Sequence, residues 1–352
     1  MRVPADSANA SSRAASKPKL IDADDEWSPL KAVIVGRAEH SCFPSEPRHL
    51  TRAYVPPRYL DEFRPHNPFP AQIVENAQWE LDNFADVLRQ HGVTHGGYTG
   101  AMPRDRLLTV GNTLIESVPA WQCRQREIEL GFSTILSQLS HPEEAAWRVF
   151  QQPTLHGRDT IYDGKDRDDF DPTRDWAINN SRPAFDAADF MRLGKHIIGQ
   201  ISHVTNQKGV DYLRAVLPEG YTLELIKPEI SNVFHIDTTI LPLRKGLLVY
   251  NPYYVREDEL RSLKALEGWE IHAYPFWPRD DPDGPEQYMA SSWLVLNGLS
   301  LDDKHIFVEE KATVFADWIQ EKFGIEAIRL PFAHVNSIGG SFHCATVDLV
   351  RG

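Results

Sequence analysis

One order of predicted elements recurs along the second half of this 352-residue chain: an apolar hairpin, an amphipathic helix and a short strand. Residues 185–202 (FDAADFMRLGKHIIGQIS) hold two apolar runs around a glycine turn. Residues 206–217 have apolar side chains at helical spacing, and residues 221–228 have a strand pattern. The same order returns over residues 234–276 and 292–332. These repeats share the order of their predicted elements rather than their amino-acid sequence. They predict an α/β fold built from ββαβ units.

Two less regular copies precede these three. Residues 29–99 and 105–139 each combine apolar strand patterns with one amphipathic helix, which brings the count to five units. The last apolar segment, residues 341–350 (SFHCATVDLV), is not followed by a helix and can pair with the first unit. Closing a ring removes exposed strand edges. We therefore predict a single domain in the form of a pseudo-fivefold ββαβ propeller, with an open α/β sheet as the alternative.

Two segments stand apart from these units. Residues 1–20 are rich in serine and alanine with scattered basic residues, which predicts a disordered tail rather than a transit peptide, so that the folded domain spans residues 21–352. Residues 156–176 (HGRDTIYDGKDRDDFDPTRDW) are acidic and rich in turn formers. That composition predicts a surface insertion or lid.

Charge and cysteine usage narrow the function. The formal net charge is -13 and no block of lysine and arginine occurs, which argues against nucleic-acid binding and favours a cationic small substrate. The three cysteines, Cys42, Cys123 and Cys344, lie too far apart for a disulfide framework or a CxxC zinc site. The chain has no apolar run of about 18 residues and no signal-peptide core. We expect a cytoplasmic protein that contacts no membrane and needs neither metal nor cofactor.

Polar residues open each apolar hairpin, where a buried strand does not need them. They are Asp105, Asp186, the pair His235 and Asp237, and Ser291. Taken singly, an aspartate before a strand is usually a turn residue, and a lone histidine is usually structural. In a propeller, however, equivalent strand starts converge on the central axis. Their recurrence at one place in the repeat is what favours a functional site.

Cys344 lies near the end of the chain and could join these residues, although a single cysteine is more often a buried small hydrophobe. A thiolate could attack the central carbon of a guanidinium held by Asp105 and Asp237, because carboxylates bind that planar cation well. His235 could then transfer protons, with Asp186 orienting its ring. We expect alkylating reagents to modify Cys344 first.

The histidine beside this cysteine receives a different interpretation. His343 and Cys344 are neighbours in the predicted last strand, and successive strand residues point to opposite faces. The sequence therefore predicts a structural role for His343, away from the thiol.

The chain resembles the L-arginine amidinotransferases, of the glycine and inosamine-phosphate types, within the guanidino-modifying (pentein) superfamily. The segments that carry the resemblance are EWSPLKAVIVGRAE (26–39), AMPRD (101–105), FDAADFMRLGK (185–195), VTNQKGVDYL (204–213), HIDTTILPLRKGLLVYNP (235–252) and SIGGSFHCATVDL (337–349). They occur in order and span nearly the whole chain. The resemblance implies the fivefold propeller and an amidino transfer from L-arginine, or a related guanidine donor, through a covalent amidino-cysteine to an amine, with release of ornithine.

The same resemblance implies roles for individual residues. It makes Cys344, His235 and Asp186 catalytic, assigns the donor guanidinium to Asp105 and Asp237, and makes Ser291 a substrate contact. The expected partners are small molecules, with a homodimer as a possible assembly.

Substrate-binding positions depart from the family pattern. Family members commonly carry an arginine, two residues after an Asn-Pro pair, that binds the amino-acid carboxylate; this chain has Tyr254 there, and Arg256 is the nearest cation. Ser341 replaces the usual third glycine, and Phe234 and Asn232 lie just before the histidine, where acceptor choice is expected to be set. These departures leave the acceptor open.

Two other readings remain. One is a hydrolase of the same superfamily, similar to arginine deiminase, in which water resolves the amidino-cysteine. The other is a binding module without activity, against which the intact cysteine, histidine and aspartates argue.

Overall fold

A computed structural model of the protein describes residues 19–43, 55–59, 67–97, 100–121, 124–139, 148–153, 161, 169–229, 233, 235–278 and 281–352. Its strands are β1 (Leu30–Val35), β2 (Thr94–Gly97), β3 (Leu107–Val110), β4 (Thr113–Glu116), β5 (Arg148–Phe150), β6 (Phe190–Leu193), β7 (His196–Gln200), β8 (Thr222–Ile226), β9 (Ile240–Arg244), β10 (Leu247–Tyr250), β11 (Glu270–Ala273), β12 (Leu299–Ser300), β13 (His305–Glu309), β14 (Glu326–Leu330) and β15 (Thr346–Arg351). Its helices are α1 (Ala71–Gln90), α2 (Ser133–Leu139), α3 (Gln207–Val216), α4 (Glu257–Arg261), α5 (Thr313–Phe323) and α6 (Ala333–Ser337), with a π-helical turn, Ile128–Phe132, leading into α2.

The described strands form five three-stranded sheets. In each, the middle strand pairs antiparallel with one neighbour and parallel with the other, as in the sheet of β6, β7 and β8. The units at β6–β8, β9–β11 and β12–β14 follow the predicted order of two strands, a helix and a strand. The last strand, β15, pairs antiparallel with β1, as predicted, so the two ends of the chain share one sheet.

Burial explains why the hairpin strands are mostly apolar on both faces. Every residue of β3, β4, β6 and β10 is buried, so both faces of these short strands pack against other elements. Strands covered on both faces have near-continuous apolar runs rather than an alternating pattern.

Helix α3 shows how a helix positions part of the candidate site. Its N-cap, Asn206, accepts a hydrogen bond from the backbone N–H of Gly209 at 2.8 Å, and Val210 and Leu213 form its buried face. A Cβ at Gly209 would lie 2.0 Å from the carbonyl oxygen of Ala184. Glycine therefore lets α3 pack directly against the backbone two residues before Asp186.

A buried ion network joins the first unit, the third unit and the last strand. The Arg192 side chain in β6 donates to both carboxylate oxygens of Glu26 at 2.6 Å and also to Asp348 in β15. Asp348 accepts further hydrogen bonds from Arg104 and Arg351, each at 2.8 Å. All five side chains are at least 95% buried. Removing one partner of a buried ion pair destabilises a protein by about 3–5 kcal/mol, because the other charge is left uncompensated.

Two predicted strands are shorter than the sequence indicates. Residues 292–296, which were expected to begin a hairpin, form a 3-10 helix whose N-cap Ser291 accepts a hydrogen bond from the N–H of Trp293. Residues 341–345 form a turn rather than the start of the last strand, because the Asn297 side chain accepts hydrogen bonds from the N–H groups of Ser341 and Cys344 at 3.0 and 3.1 Å. The prediction that His343 and Cys344 alternate along a strand is therefore wrong.

The segments set apart in the sequence are only partly described. Ile161 and Phe170 of the predicted insertion 156–176 are buried and pack in a cluster with Trp121 and Ile178. Outside the described residues lie the rest of that segment up to residue 168 and residues 1–18 of the predicted tail. The surface insertion and the disordered tail therefore remain predictions. Among the described helices, none combines the length and apolarity that a membrane span requires.

Candidate active site

The predicted polar residues lie on short 3-10 turns that precede the first strand of successive units. These turns are Pro103–Asp105, Ala187–Asp189, Ile236–Thr238 and Ser292–Leu296, and neighbouring turns contact one another. Asp186 and His235 are the N-caps of two of them. The turns bring Asp105, Asp186, His235 and Asp237 together, as the recurrence in the sequence predicted.

The His235 imidazole lies between two carboxylates. Its Nδ1 is 3.4 Å from Oδ1 of Asp105, and its Nε2 is 3.4 Å from Oδ2 of Asp186. Burial acts to lower the pKa of His235, but the charge of Asp105 and the hydrogen bond with Asp186 outweigh it and hold that pKa well above its ordinary value. The site therefore favours a protonated imidazole.

The Cys344 thiol is buried beside a third carboxylate. Its Sγ donates to Oδ2 of Asp237 at 3.3 Å, and the side chain is 1% exposed. Burial and the negative charge of Asp237 raise the pKa of Cys344 to about 12, although a hydrogen bond with His235 acts in the opposite direction. The unliganded protein therefore holds Cys344 as a thiol.

His343 reaches the same carboxylate oxygen. Its Nδ1 is 2.7 Å from Oδ2 of Asp237, and its Nε2 is 3.4 Å from Oε2 of Glu26. Because residues 341–345 form a turn, the side chains of His343 and Cys344 both approach Asp237. In a strand they would point to opposite faces. His343 thus links the buried ion network to the thiol.

Two carboxylate oxygens in this cluster have no hydrogen-bond partner among the described residues. They are Oδ1 of Asp105, whose nearest cation is His235, and Oδ1 of Asp237. A buried polar atom without a hydrogen bond is rare and unfavourable, so each such atom in a folded protein calls for an explanation. Here both belong to the aspartates predicted to bind a guanidinium.

Arg124 is a site residue that the sequence analysis missed. Its Nη1 is 2.6 Å from Oδ2 of Asp105 and 3.8 Å from Oδ2 of Asp186, and its Nε is 2.7 Å from Oε2 of Glu127. It precedes a helical segment rather than a hairpin, so the repeat pattern that located the other residues gave no signal for it. Its positive charge partly offsets the two carboxylates.

The turn that carries Asp186 has its own buried support. The Asp186 N–H donates to Oγ1 of Thr205 at 3.2 Å, and that hydroxyl donates to Oδ2 of Asp189 at 2.5 Å. Asp189 also accepts hydrogen bonds from Gln200 and Ser202, and burial raises its pKa to about 6. These contacts fix the backbone from which Asp186 reaches His235.

The remaining predicted substrate contacts lie outside this cluster or at its edge. Ser291 is hydrogen-bonded with the Tyr254 side chain, and Tyr254 is buried with its ring 6.1 Å from that of Trp293. Arg256 is 60% exposed and donates through Nε to Oδ1 of Asp258 at 2.9 Å. Its guanidinium therefore faces solvent and an acidic partner.

Two further predicted contacts, Asn232 and Phe234, lie outside the described residues, so their roles remain predictions. Val233 between them is buried in an apolar cluster with Leu241 and Trp293.

Spacing alone would also let these groups hold a metal ion. The candidate ligand atoms of His235, Asp237 and Cys344 lie within 4.8 Å of one another, as do those of Asp105, Asp186 and His235. Thiolate, imidazole and carboxylate are ligands that zinc accepts. The two unpartnered oxygens beside a thiol equally suit a cation that donates several hydrogen bonds, such as a guanidinium.

No protein-family model matches the sequence. Curated proteins do: an L-arginine:L-lysine amidinotransferase of Pseudomonas savastanoi pv. phaseolicola is 34% identical over 350 residues, which cover 93% of each chain. A mitochondrial glycine amidinotransferase of Xenopus tropicalis is 33% identical over 93% of this chain and 82% of its own.

Solved structures give the same picture. SxtG of Microseira wollei, an amidinotransferase of saxitoxin biosynthesis, superposes with a TM-score of 0.82 at 29% identity, over 94% of this chain and 97% of its own. The inosamine-phosphate amidinotransferase of Streptomyces griseus gives 0.79 at 26% identity, over 95% and 97%. A dimethylarginine dimethylaminohydrolase shares only the fold, with a TM-score of 0.56 at 15% identity.

The environment of Cys344 predicts slow alkylation of the unliganded protein, the reverse of the expectation from sequence. In a Cys123→Ser background at pH 8, iodoacetamide should modify exposed Cys42 before Cys344, because Cys344 is buried and its pKa is raised to about 12. Asp237→Asn removes a charge that raises this pKa and should speed the reaction of Cys344 by about tenfold, equivalent to one pKa unit. Peptide mass mapping over time measures both rates.

The matched control is Asp258→Asn, which changes an exposed carboxylate paired with Arg256 and should leave the Cys344 rate unchanged. Faster modification of Cys344 than of Cys42 in the unsubstituted protein, or no response to Asp237→Asn, would contradict this description of the thiol.

Proposed function

The chain belongs to the L-arginine amidinotransferase family, and from that premise we propose that Cys344 takes the amidino group of L-arginine and passes it to an amine. The protein is an amidinotransferase; the residues that perform the transfer, and the acceptor, are what we propose here. The observation that carries the proposal is a pair of buried oxygens beside the Cys344 thiol, Oδ1 of Asp105 and Oδ1 of Asp237, which accept no hydrogen bond from the described residues.

We place the donor guanidinium between these two aspartates. The Oδ2 atoms are already occupied, by Arg124 on Asp105 and by His343 on Asp237, so each aspartate has one oxygen left to accept a substrate N–H. A planar cation with several N–H groups can donate to both at once. Its central carbon then faces the sulfur, which lies 3.3 Å from Asp237.

Binding of the cation also activates the thiol. In the unliganded protein burial and Asp237 hold the pKa of Cys344 near 12, so the thiolate is rare. The positive charge of the guanidinium offsets Asp237 and favours release of one proton from the pair of Cys344 and His235. What remains is a thiolate beside a protonated imidazole, which is the reactive combination.

The first half of the reaction moves the amidino group to sulfur. The thiolate attacks the guanidinium carbon to form a C–S bond, and the bond from that carbon to the ornithine nitrogen breaks. His235 gives its proton to the leaving nitrogen, and Asp186 stabilises and orients the imidazole. Ornithine leaves, and Cys344 carries the amidino group.

The second half returns the enzyme to its starting state. The amine nitrogen attacks the amidino carbon, the C–S bond breaks, and Cys344 leaves as a thiolate. His235 takes the proton that the amine loses. Arginine and amine thus react in turn at one sulfur.

We also propose the finer architecture and setting. The five sheets are the blades of a pseudo-fivefold propeller, a proposal supported by the equivalent 3-10 turns that touch one another and by the pairing of β1 with β15. A reducing, cytoplasmic location is supported by the free thiols of Cys42 and Cys344. The homodimer remains a prediction.

The proposed transfer predicts that ornithine release depends on an amine. With L-arginine and a panel of primary amines, we expect ornithine to appear in proportion to a guanidino product, measured by liquid chromatography with mass detection. Citrulline or urea without guanidino product would show hydrolysis of the amidino-cysteine and contradict the proposal. Cys344→Ala serves as the blank, because it lacks the sulfur that carries the group.

The position of Arg124 predicts a pH-dependent binding defect. Burial raises the pKa of Asp105, while His235 and Arg124 act against that rise and Asp186 adds to it. Arg124→Met should therefore raise this pKa further and increase KM for arginine wherever the pH lies below it, by up to about tenfold per pKa unit. The defect should shrink as the pH rises, since Asp105 ionises above its pKa.

Steady-state kinetics from pH 6 to 9 test this. Arg126→Met is the matched control, because Arg126 is exposed and pairs only with exposed Glu129 among the described side chains. A normal KM in Arg124→Met throughout this range, or a defect that grows with pH, would show that Arg124 does not support Asp105.

A further inference from the structure

A cleft of about 930 Å³ opens beside the candidate site, and the chemistry described so far makes no use of it. Pockets that hold drug-sized ligands measure roughly 300–1,000 Å³, so this cleft is at the large end of that range. Its walls include the aromatic residues Tyr274, Phe276 and Trp277 and the charged residues Glu309 and Lys311. It is larger than a free amino acid requires.

The inner wall of the cleft adjoins the turn that carries the nucleophile. Ser291 and Asn336 form part of this wall. With its amide oriented to donate, Asn336 Nδ2 lies 3.2 Å from the carbonyl oxygen of Gly340 and 3.0 Å from Oγ of Ser341. A Cβ at Gly340 would lie 2.9 Å from Sγ of Cys344. The cleft thus reaches the backbone of the turn that carries Cys344.

The apolar wall presents large rings to solvent. Trp277 is 67% exposed and Phe276 is 41% exposed. The Trp277 ring is already held at an angle by neighbours, with centroids 5.3 Å from both Tyr253 and Trp293. Exposed apolar patches that are held in place mark binding surfaces, and aromatic rings stack on flat apolar groups.

The charged part of the wall offers an acceptor for one hydrogen bond. Oε1 of Glu309 is buried and has no hydrogen-bond partner among the described residues, while its Oε2 accepts from the N–H of Lys311 at 2.8 Å. Burial raises the pKa of Glu309 to about 7. The Lys311 ammonium is paired with Asp281 at 2.5 Å. A ligand that donates to Oε1 would therefore meet an unsatisfied group.

We propose that this cleft binds the body of the amine acceptor, and that the acceptor is a primary amine carried on a flat apolar ring with a hydrogen-bond donor, rather than a free amino acid. The inference rests on the transfer proposed above. After ornithine leaves, the acceptor nitrogen occupies its place at the amidino carbon while the ring extends past Ser291 into the cleft. The relatives named for lysine and glycine take amino acids; this cleft assigns a larger acceptor class to this chain.

Two amines with the same reacting group test the inference. Pentylamine and 5-(4-hydroxyphenyl)pentylamine differ only in the ring and its hydroxyl donor. With arginine as donor, we expect kcat/KM for the ring-bearing amine to be higher by about tenfold or more, the effect of about 1.4 kcal/mol from buried ring surface. In Trp277→Ala the preference should fall below about threefold, since the stacking ring is lost.

Trp79→Ala is the matched control. Trp79 is 60% exposed on α1 and does not line the cleft, so its removal should leave the preference unchanged. Thermal melting checks that each variant is folded. We expect Trp277→Ala to fold, because the Trp277 side chain is exposed.

The outcomes separate this inference from the proposed function. Equal kcat/KM for the two amines, or a preference that survives Trp277→Ala, overturns the cleft as acceptor site while transfer itself still stands. Failure of arginine to modify Cys344 at all, measured by mass spectrometry before any amine is added, overturns both.

Discussion

One carboxylate oxygen, Oδ2 of Asp237, ties the stability of the protein to its chemistry. It accepts from His343 at 2.7 Å and from the Cys344 thiol at 3.3 Å. The other ring nitrogen of His343 contacts Glu26, which accepts a hydrogen bond from Arg192 in the buried ion network. The Cys344 thiol is therefore linked to charges that also join the last strand to the third unit, and a change in that network would alter the surroundings of the sulfur.

In this arrangement the unliganded site holds Cys344 as an unreactive thiol. Arg124 and His343 each bind one oxygen of an aspartate, and the other oxygen of each aspartate accepts no hydrogen bond from the described residues. Burial and Asp237 keep Cys344 protonated. In the proposed reaction the substrate supplies the charge that favours the thiolate, and a thiol that ionises only with substrate bound is protected from other electrophiles.

Much of this could be predicted from the sequence, because the site residues occupy equivalent places in a repeated unit. Three units have their site residues just before the first strand: Asp105, Asp186, and the pair His235 and Asp237. This position is the same in each of these units even though the hairpins begin in 3-10 turns. Cys344 could be predicted because the sequence around it resembles a family motif.

Other features depend on contacts between distant segments, which no local pattern encodes. Arg124 reaches Asp105 from a helical segment, and Thr205 and Asp189 support Asp186 from behind. The Asn297 side chain, 47 residues from Cys344, converts the expected strand start into a turn and thereby directs His343 toward Asp237. Each of these is decided by tertiary packing rather than by local propensity.

The central claim is that Cys344 carries the amidino group, and one measurement tests it directly. The protein is incubated with L-arginine labelled in its guanidino group, without an amine, quenched in acid and digested for peptide mass analysis. We predict one labelled amidino group per chain on the Cys344 peptide, an equal amount of ornithine, and loss of the label when an amine is added. Turnover that continues in Cys344→Ala, or labelled product formed while the Cys344 peptide stays unmodified, would contradict the account.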